Sequence, residues 1–211
     1  MFKDQAKLKE LKAKYKDEQV YVVPSVLLTS INDGFTKEEH SKDIYSKFDN
    51  IGKFIFRYDA EGDATFQQII PYVILFNPVT NKYYTYERIQ GSGEERLHGQ
   101  LSLGFGGHID SIDGTSEVVF KGLARELMEE VEYNNLSAAE FIGYVRDVNS
   151  STNDHTGLVF LLKVDFAEVK ETNKYVGKWM TAQEMEEAYF RFEDWGKHLI
   201  NHIVENHYKI K

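Results

Sequence analysis

The chain has 211 residues, 42% of them hydrophobic and 28% charged, which is typical of a soluble globular protein with one large domain or a domain plus an extension. Its net charge of -9 gives no strong signal for nucleic-acid binding, and no segment reaches the roughly 18 consecutive apolar residues of a membrane helix, so no membrane partner is expected. The absence of cysteine excludes disulfides and thiolate metal ligands.

The N-terminal third reads as an extension of the main domain. Residues 1–7 are too charged to begin a signal peptide, so we expect a cytoplasmic protein. A short Lys-rich helix is predicted over residues 4–16, and a strand over residues 19–28, where Pro24 suits an edge position. Residues 29–63 are polar and rich in turn signals, and we interpret them as loops. We therefore divide the chain into an extension, 1–68, that packs on a core domain, 69–211.

The rest of the chain alternates strands with helices. Residues 71–76 and 82–89 form a predicted hairpin around the turn 77–81. Further strands are predicted at 101–105, 140–148 and 157–166. A final helix over 193–207 carries Trp195, Leu199 and Ile203 at helical spacing, which indicates a core stripe or the contact of a homodimer. This mixture predicts an α/β protein.

An amphipathic helix with crowded carboxylates is predicted after the turn Asp113-Gly114, with Thr115 or Ser116 as its N-cap. One face is apolar, and on the other Glu126 has Glu129 and Glu130 three and four residues later. Like charges at these spacings destabilise a helix, and a divalent cation would offset their repulsion. A solvated Glu-rich face is the alternative interpretation, and it is the commoner one for such a pattern in isolation.

The context of these carboxylates resembles the Nudix box. In that motif a Gly precedes a Glu, and seven residues later follows Arg-Glu-aliphatic-x-Glu-Glu-x-Gly-aliphatic. The chain supplies Glu117, seven residues, and then Arg125-Glu126-Leu127-Met128-Glu129-Glu130, after the glycine pair Gly106-Gly107. The resemblance extends over about residues 72–187 and includes a Trp179 segment that we expect to serve packing. Glu95 to Gly99 is similar to a bacterial Nudix subgroup of unassigned substrate.

Two positions depart from the box. Nine residues separate Gly107 from Glu117 where the family has five, so we expect a four-residue insertion in the loop 110–116. The later Gly of the box is replaced by Glu132, and we expect Asn134 or Asn135 to take the left-handed position at the helix end.

The resemblance implies a fold, a cofactor and a reaction. The fold is an α/β/α sandwich with a mixed β-sheet between helices. The cofactor is Mg²⁺, with Mn²⁺ as an alternative, and the reaction is attack of metal-activated water on phosphorus in a nucleoside diphosphate linked to another moiety. The implied metal ligands are the following: Gly106, Gly107, Glu126, Glu129 and Glu130. The implied catalytic residues are the following: Glu126, which is the first choice of base, Glu130, and Arg125, which orients the carboxylates.

Other residues are weaker candidates. Glu168 and Glu171 are alternative bases, although either one alone suits a solvated loop charge. The candidate residues for binding a small nucleotide-type substrate are the following: Arg88, Arg96, His108 and His155. Surface roles without a ligand are the competing interpretation for each of them. His198 and His202 lack the Glu of a zinc protease motif, and we interpret them as an exposed helix face.

Two other functions stay open on this reasoning. One is a catalytically weak Nudix module that binds or senses a nucleotide ligand, which the intact carboxylates disfavour. The other is an isomerase on the same fold, but isomerases of isopentenyl diphosphate typically rely on a Cys, and the chain has none.

Overall fold

The computed structural model describes residues 4–38, 44–89, 99–150 and 153–209. Its helices are α1 Gln5–Tyr15, α2 Ile44–Asp49, α3 Arg57–Ala60, α4 Val118–Glu130, α5 Ala182–Glu187 and α6 Asp194–Lys209. Its strands are β1 Gln19–Pro24, β2 Gly34–Lys37, β3 Lys53–Phe56, β4 Phe66–Asn77, β5 Lys82–Arg88, β6 Leu101–Ser102, β7 Gly104–Gly106, β8 Val131–Asn135, β9 Glu140–Arg146, β10 His155–Val169 and β11 Tyr175–Met180. No helix in these described ranges is long and apolar enough to cross a membrane.

Strand β4 organises the sheet. The main path runs β11-β5-β4-β10-β9-β2, and β4 pairs with β10 in parallel while the other pairs are antiparallel, so the sheet is mixed. The other edge of β4 is shared along its length by β1, β7 and β5. This sharing brings the end of β7 beside the middle of β4, which is where the glycine pair of the sequence motif emerges.

Helices cover both faces of the sheet. Side chains alternate along β4, so that Val73 and Leu75 join one core with α2 and α4, whereas Tyr72 and Ile74 join a second core with α5 and α6. The predicted α/β/α sandwich with a mixed sheet is confirmed. In α6, Leu199 is buried in the second core, and Trp195 and Ile203 pack against it, so this stripe serves the core of the chain itself.

The predicted loop character of residues 29–63 is wrong. The described part of this segment contains β2, α2, β3 and α3, and β3 pairs with β1 while β2 pairs with β9. These elements are only four to six residues long, too short for a periodic pattern to be visible in the sequence. Strand β4 begins at Phe66 and so crosses the boundary drawn between residues 68 and 69. That division of the chain stays a prediction.

Helix α4 begins and ends differently from the prediction. Neither Thr115 nor Ser116 caps it; the N-cap position is Glu117, and the cap is supplied by Asp49 at the end of α2. At the other end the chain passes directly from Glu130 into β8 at Val131, whose φ of -140° is extended, so no left-handed residue ends this helix. The pairing of β8 with β10 stabilises the extended exit.

We expect Asp49→Ala to weaken the start of α4. The Asp49 carboxylate accepts hydrogen bonds from the backbone N–H groups of Glu117 and Val118, the latter at 2.9 Å, and its charge favours a helix N-terminus. Loss of this cap lowers the free energy of unfolding by about 1 kcal/mol, measured by urea denaturation. Asp49→Asn keeps an acceptor oxygen and should lose less. Equal stability of wild type and the Ala variant would contradict this account.

Candidate functional site

Helix α4 carries the carboxylates into a pocket because its opposite face is anchored. Val119, Leu123 and Leu127 are buried in the core between α4 and the sheet. Their burial turns Glu126 and Glu130 toward the end of β7. The amphipathic pattern therefore sets the rotation of the helix, and the rotation places the carboxylates.

Two glycines let the backbone approach this helix closely. A Cβ atom on Gly106 would lie 2.0 Å from the carbonyl oxygen of Pro71 on β4. A Cβ on Gly107 would lie 2.4 Å from a carboxylate oxygen of Glu126. Neither position can hold a side chain without a shift of its neighbours, so the turn after β7 lies directly against the Glu126 carboxylate.

Arg125 ties the loop after β7 to the helix. Its Nε and Nη2 atoms donate to the two carboxylate oxygens of Asp113, each at 3.0 Å, and Nη2 also donates to the backbone oxygen of His108 at 2.8 Å. Nη1 donates to Glu126 Oε1 at 2.7 Å and to Glu129 at 3.5 Å. Asp113 is the main cause that raises the pKa of Arg125 above its ordinary value. One guanidinium thus orients both the loop and a carboxylate.

The acidic partner of Arg125 is Asp113, and the match of Glu117 to the first Glu of the box is wrong. Glu117 is exposed and lies at the start of α4 with a φ of 54°. Five residues separate Gly107 from Asp113, which is the family spacing, so the extra residues lie between Asp113 and Arg125 rather than before the acidic residue. Reading Asp as equivalent to Glu at that spacing would have found this residue from the sequence.

Glu130 is held in an unfavourable environment for a charge. Its Oε2 atom is inaccessible to solvent and has no hydrogen-bond partner among the described residues. Burial, followed by the nearby charge of Glu126, raises the pKa of Glu130 to about 8, although Arg88 and the backbone of Gly106 act against that rise. Burial also raises the pKa of Glu126, against the effect of its Arg125 partner. Two neighbouring, partly buried carboxylates, one of them with an inaccessible oxygen, form a donor set that suits a hard cation.

These groups face a single pocket of about 340 Å³. Its lining residues are Glu18, Arg57, Arg88, Gly106, Gly107, His108, Asp110, Arg125, Glu126, Glu130 and Tyr175. Of the residues predicted to be catalytic or to touch metal or substrate, the structure brings seven together here. Arg88 lies over the rings of Tyr86 and Tyr175 and donates to their hydroxyls at 3.2 and 3.4 Å, so its guanidinium is fixed at the pocket wall.

Other predicted residues lie outside the lining. The side chain of Glu129 is 59% exposed and is not part of the pocket wall, although its Oε2 atom lies 3.5 Å from Nη1 of Arg125. Glu168 is exposed on β10, and Glu171 forms an ion pair of 2.7 Å with Lys174 while adding negative charge near Glu130. Arg96 falls outside the described residues.

His155 lies behind His108 rather than in the pocket wall. Their Nε2 atoms are 3.1 Å apart, and His155 Nδ1 is 2.7 Å from Asp154 Oδ1. Burial, with the charges of Arg57, His155 and Arg125, lowers the pKa of His108 well below its ordinary value. The surface-loop interpretation of His155 is wrong, because this residue is only 9% exposed.

A second group of metal-ligand types lies elsewhere. Within the described ranges, Asp33, Asp147 and His198 are the one group of three such residues whose ligand atoms all lie within 4.8 Å of one another, and none of them lines the pocket. His198 Nε2 is 3.7 Å from Asp147, and the ring of His202 packs at 4.5 Å on Phe35. The interpretation of these two histidines as an exposed face is therefore wrong, because β2 folds against α6.

The N-terminal segment contributes residues that sequence reasoning missed. Arg57 and Glu18 line the pocket and pair with each other at 2.6 Å, while Glu61 also holds Arg57 at 3.0 Å. No local pattern marks them, since their position depends on the pairing of β1 with β4. Tyr175 likewise reaches the pocket only through the pairing of β11 with β5.

Comparison with known proteins gives two informative relatives. No family model matches the sequence. The chain is 33% identical over 207 residues to protein YmaB of Bacillus subtilis, a match that covers 88% of this chain and 97% of the relative. Among solved structures, Tm1382, a candidate Nudix hydrolase, has a TM-score of 0.77 and 28% identity, over 89% of this chain and 99% of its own.

Proposed function

The chain belongs to the Nudix hydrolase family and is a pyrophosphohydrolase of that family, and from this premise we propose that it cleaves, with Mg²⁺, a diphosphate bond in a nucleoside diphosphate linked to another moiety. The observation that carries the proposal is the pair of partly buried carboxylates, Glu126 and Glu130, against the glycine turn. A structural role alone does not account for the pair, since the two like charges repel each other and the charge of Glu126 raises the pKa of Glu130.

The donor set fits a divalent cation. Glu126 and Glu130 would hold it with their carboxylates, together with a backbone carbonyl of Gly106 or Gly107, and Glu129 could join them from its exposed position on the same helix. When bound, Mg²⁺ would neutralise the charge that grows on the phosphoryl oxygens, and it would lower the pKa of water at the site. The Oε2 atom of Glu130, for which no described residue is a hydrogen-bond partner, supports this assignment.

Side chains of the pocket position the reactants and accept the proton that the water releases. Arg88, held against the rings of Tyr86 and Tyr175, would bind a phosphoryl group at the pocket wall. The water oxygen forms the new bond to phosphorus, the bridging oxygen leaves with the other half of the substrate, and Glu126 accepts the water proton. Arg125 keeps the Glu126 carboxylate oriented for that role through its bond of 2.7 Å.

A substrate screen tests this function. Purified full-length protein would be incubated with nucleotide sugars, dinucleoside polyphosphates, ADP-ribose and nucleoside triphosphates, with Mg²⁺ or with EDTA, in water enriched in ¹⁸O. We expect hydrolysis of at least one class that needs Mg²⁺, with one ¹⁸O atom in a phosphate-bearing product because water attacks phosphorus. Binding of these compounds without turnover of any would instead support a ligand-binding module.

A further inference from the structure

A hydrogen-bonded chain of three side chains leads from the protein interior to the pocket. Asp154 Oδ1 lies 2.7 Å from His155 Nδ1, and His155 Nε2 lies 3.1 Å from Nε2 of His108, which lines the pocket. Asp154 and His155 are 4% and 9% exposed. Buried polar groups destabilise a fold unless they are hydrogen-bonded, and this chain satisfies both residues.

Asp154 is held as an acceptor at the inner end of the chain. Its Oδ2 atom accepts from the backbone N–H of Gly62 at 2.6 Å and from Gln68 Nε2 at 3.3 Å. Burial acts to raise the pKa of Asp154, but the hydrogen bond and the electrostatic interaction with His155, together with the hydrogen bond from Gly62, outweigh burial, so the pKa is lowered. An ionised carboxylate only accepts, so Nδ1 of His155 carries a hydrogen.

The direction of the hydrogen bond between His108 and His155 depends on the number of protons on the two rings. Two ring nitrogens 3.1 Å apart share one hydrogen. When both rings are neutral, the single proton of His155 lies on Nδ1, so its Nε2 is an acceptor and Nε2 of His108 is the donor. Nδ1 of His108 then carries a lone pair. This nitrogen makes no hydrogen bond to another described residue.

We propose that Asp154 and His155 are positioning residues that hold His108 as its Nε2–H tautomer, so that Nδ1 accepts a hydrogen bond from a hydroxyl donor in the pocket. The donor is a hydroxyl group of the substrate or a water molecule, which offer the same chemistry. A phosphoryl oxygen has no hydrogen to donate, so His108 does not share the phosphate-binding role proposed for Arg88. The identity of the hydroxyl donor rests on the proposed function, whereas the tautomer of His108 does not depend on it.

The tautomer is measurable without any activity. Long-range ¹H–¹⁵N NMR spectra of the metal-free full-length protein at pH 8 distinguish the two neutral forms of each imidazole, and His108→Gln identifies the signals of His108. We expect a single Nε2–H form in wild type and loss of that preference in Asp154→Asn. Asp147→Asn, which alters an Asp beside His198 outside the pocket, should leave the His108 signals unchanged. An Nδ1–H or doubly protonated His108 in wild type would overturn the proposal, whether or not the protein hydrolyses anything.

Kinetics separate the two hydroxyl donors. ATP and 2′,3′-dideoxy-ATP serve as probes for wild type and Asp154→Asn. If a ribose hydroxyl is the donor, KM for ATP rises about tenfold in the variant while KM for the dideoxy probe does not change. If water is the donor, kcat falls about tenfold for both probes and KM is unchanged. Unaltered kcat and KM in a variant whose tautomer has changed would refute a functional role, and the NMR result decides the tautomer for a protein that hydrolyses neither probe.

Discussion

Glu130→Gln is expected to abolish hydrolysis and at the same time to stabilise the metal-free protein. Loss of a carboxylate at the proposed cation site should lower kcat/KM at least about a hundredfold. Stability should rise because the folded state no longer holds a charge on a buried carboxylate beside Glu126. We expect a gain of about 2 kcal/mol at pH 8 in EDTA, which corresponds to an increase in Tm of roughly 5 °C for a chain of this size.

The pH dependence of that gain has a definite sign. The pKa of Glu130 is raised from its ordinary value of 4.5 to about 8 in the folded protein, so ionisation destabilises the fold. The destabilisation is absent below pH 4.5, grows as the pH rises to 8, and is complete above it. The difference in Tm between Glu130→Gln and wild type should therefore shrink as the pH falls from 8 toward 4.5.

Addition of Mg²⁺ and a matched control variant distinguish a role of Glu130 in cation binding from a role in stability alone. Addition of Mg²⁺ should raise the Tm of wild type and leave that of Glu130→Gln almost unchanged, because a ligand that binds the folded state stabilises it. Glu132→Gln makes the same chemical change at an exposed position two residues away and should behave as wild type in activity and in its response to Mg²⁺. Full activity in Glu130→Gln would remove this residue from the cation site.

Arg125→Ala is expected to lower both stability and activity. Asp113 is 4% exposed in its side chain and loses a two-point ion pair, so an uncompensated buried charge remains. Breaking such a pair from one side lowers the free energy of unfolding by about 3 kcal/mol, measurable by urea denaturation. Because the loop 108–113 and the Glu126 carboxylate also lose their common anchor, kcat should fall about a hundredfold.

Two further variants test whether geometry or charge is responsible. Arg125→Lys keeps the charge but cannot reach Asp113, Glu126 and the His108 carbonyl together, so it should recover little activity. Asp113→Asn combined with Arg125→Ala should lose less stability than the sum of the single changes, because the buried charge is then absent. Additive effects in this double-mutant cycle, or a Lys variant with wild-type kcat, would contradict the anchoring role.

Local pattern was sufficient to predict the helix with the carboxylates. The apolar spacing of Leu123 and Leu127 determines which face of α4 is buried. Glu126 and Glu130 therefore lie together on the other face. The hairpin of β4 and β5 and the core stripe of α6 were predictable for the same reason. Each depends on interactions between residues a few positions apart.

Sequence alone therefore determined the family motif, the α/β class and the helix that carries the carboxylates, since helical periodicity and capping are encoded within a few turns. Only the tertiary structure decided which acid pairs with Arg125, that Asp49 caps α4, and that Arg57 of the N-terminal segment reaches the pocket. It also decided the meeting of His108 with His155, 47 residues apart. Such contacts depend on strands that pair across the sheet, and strand pairing is set by burial of the whole sheet between two helical layers rather than by any short run of residues.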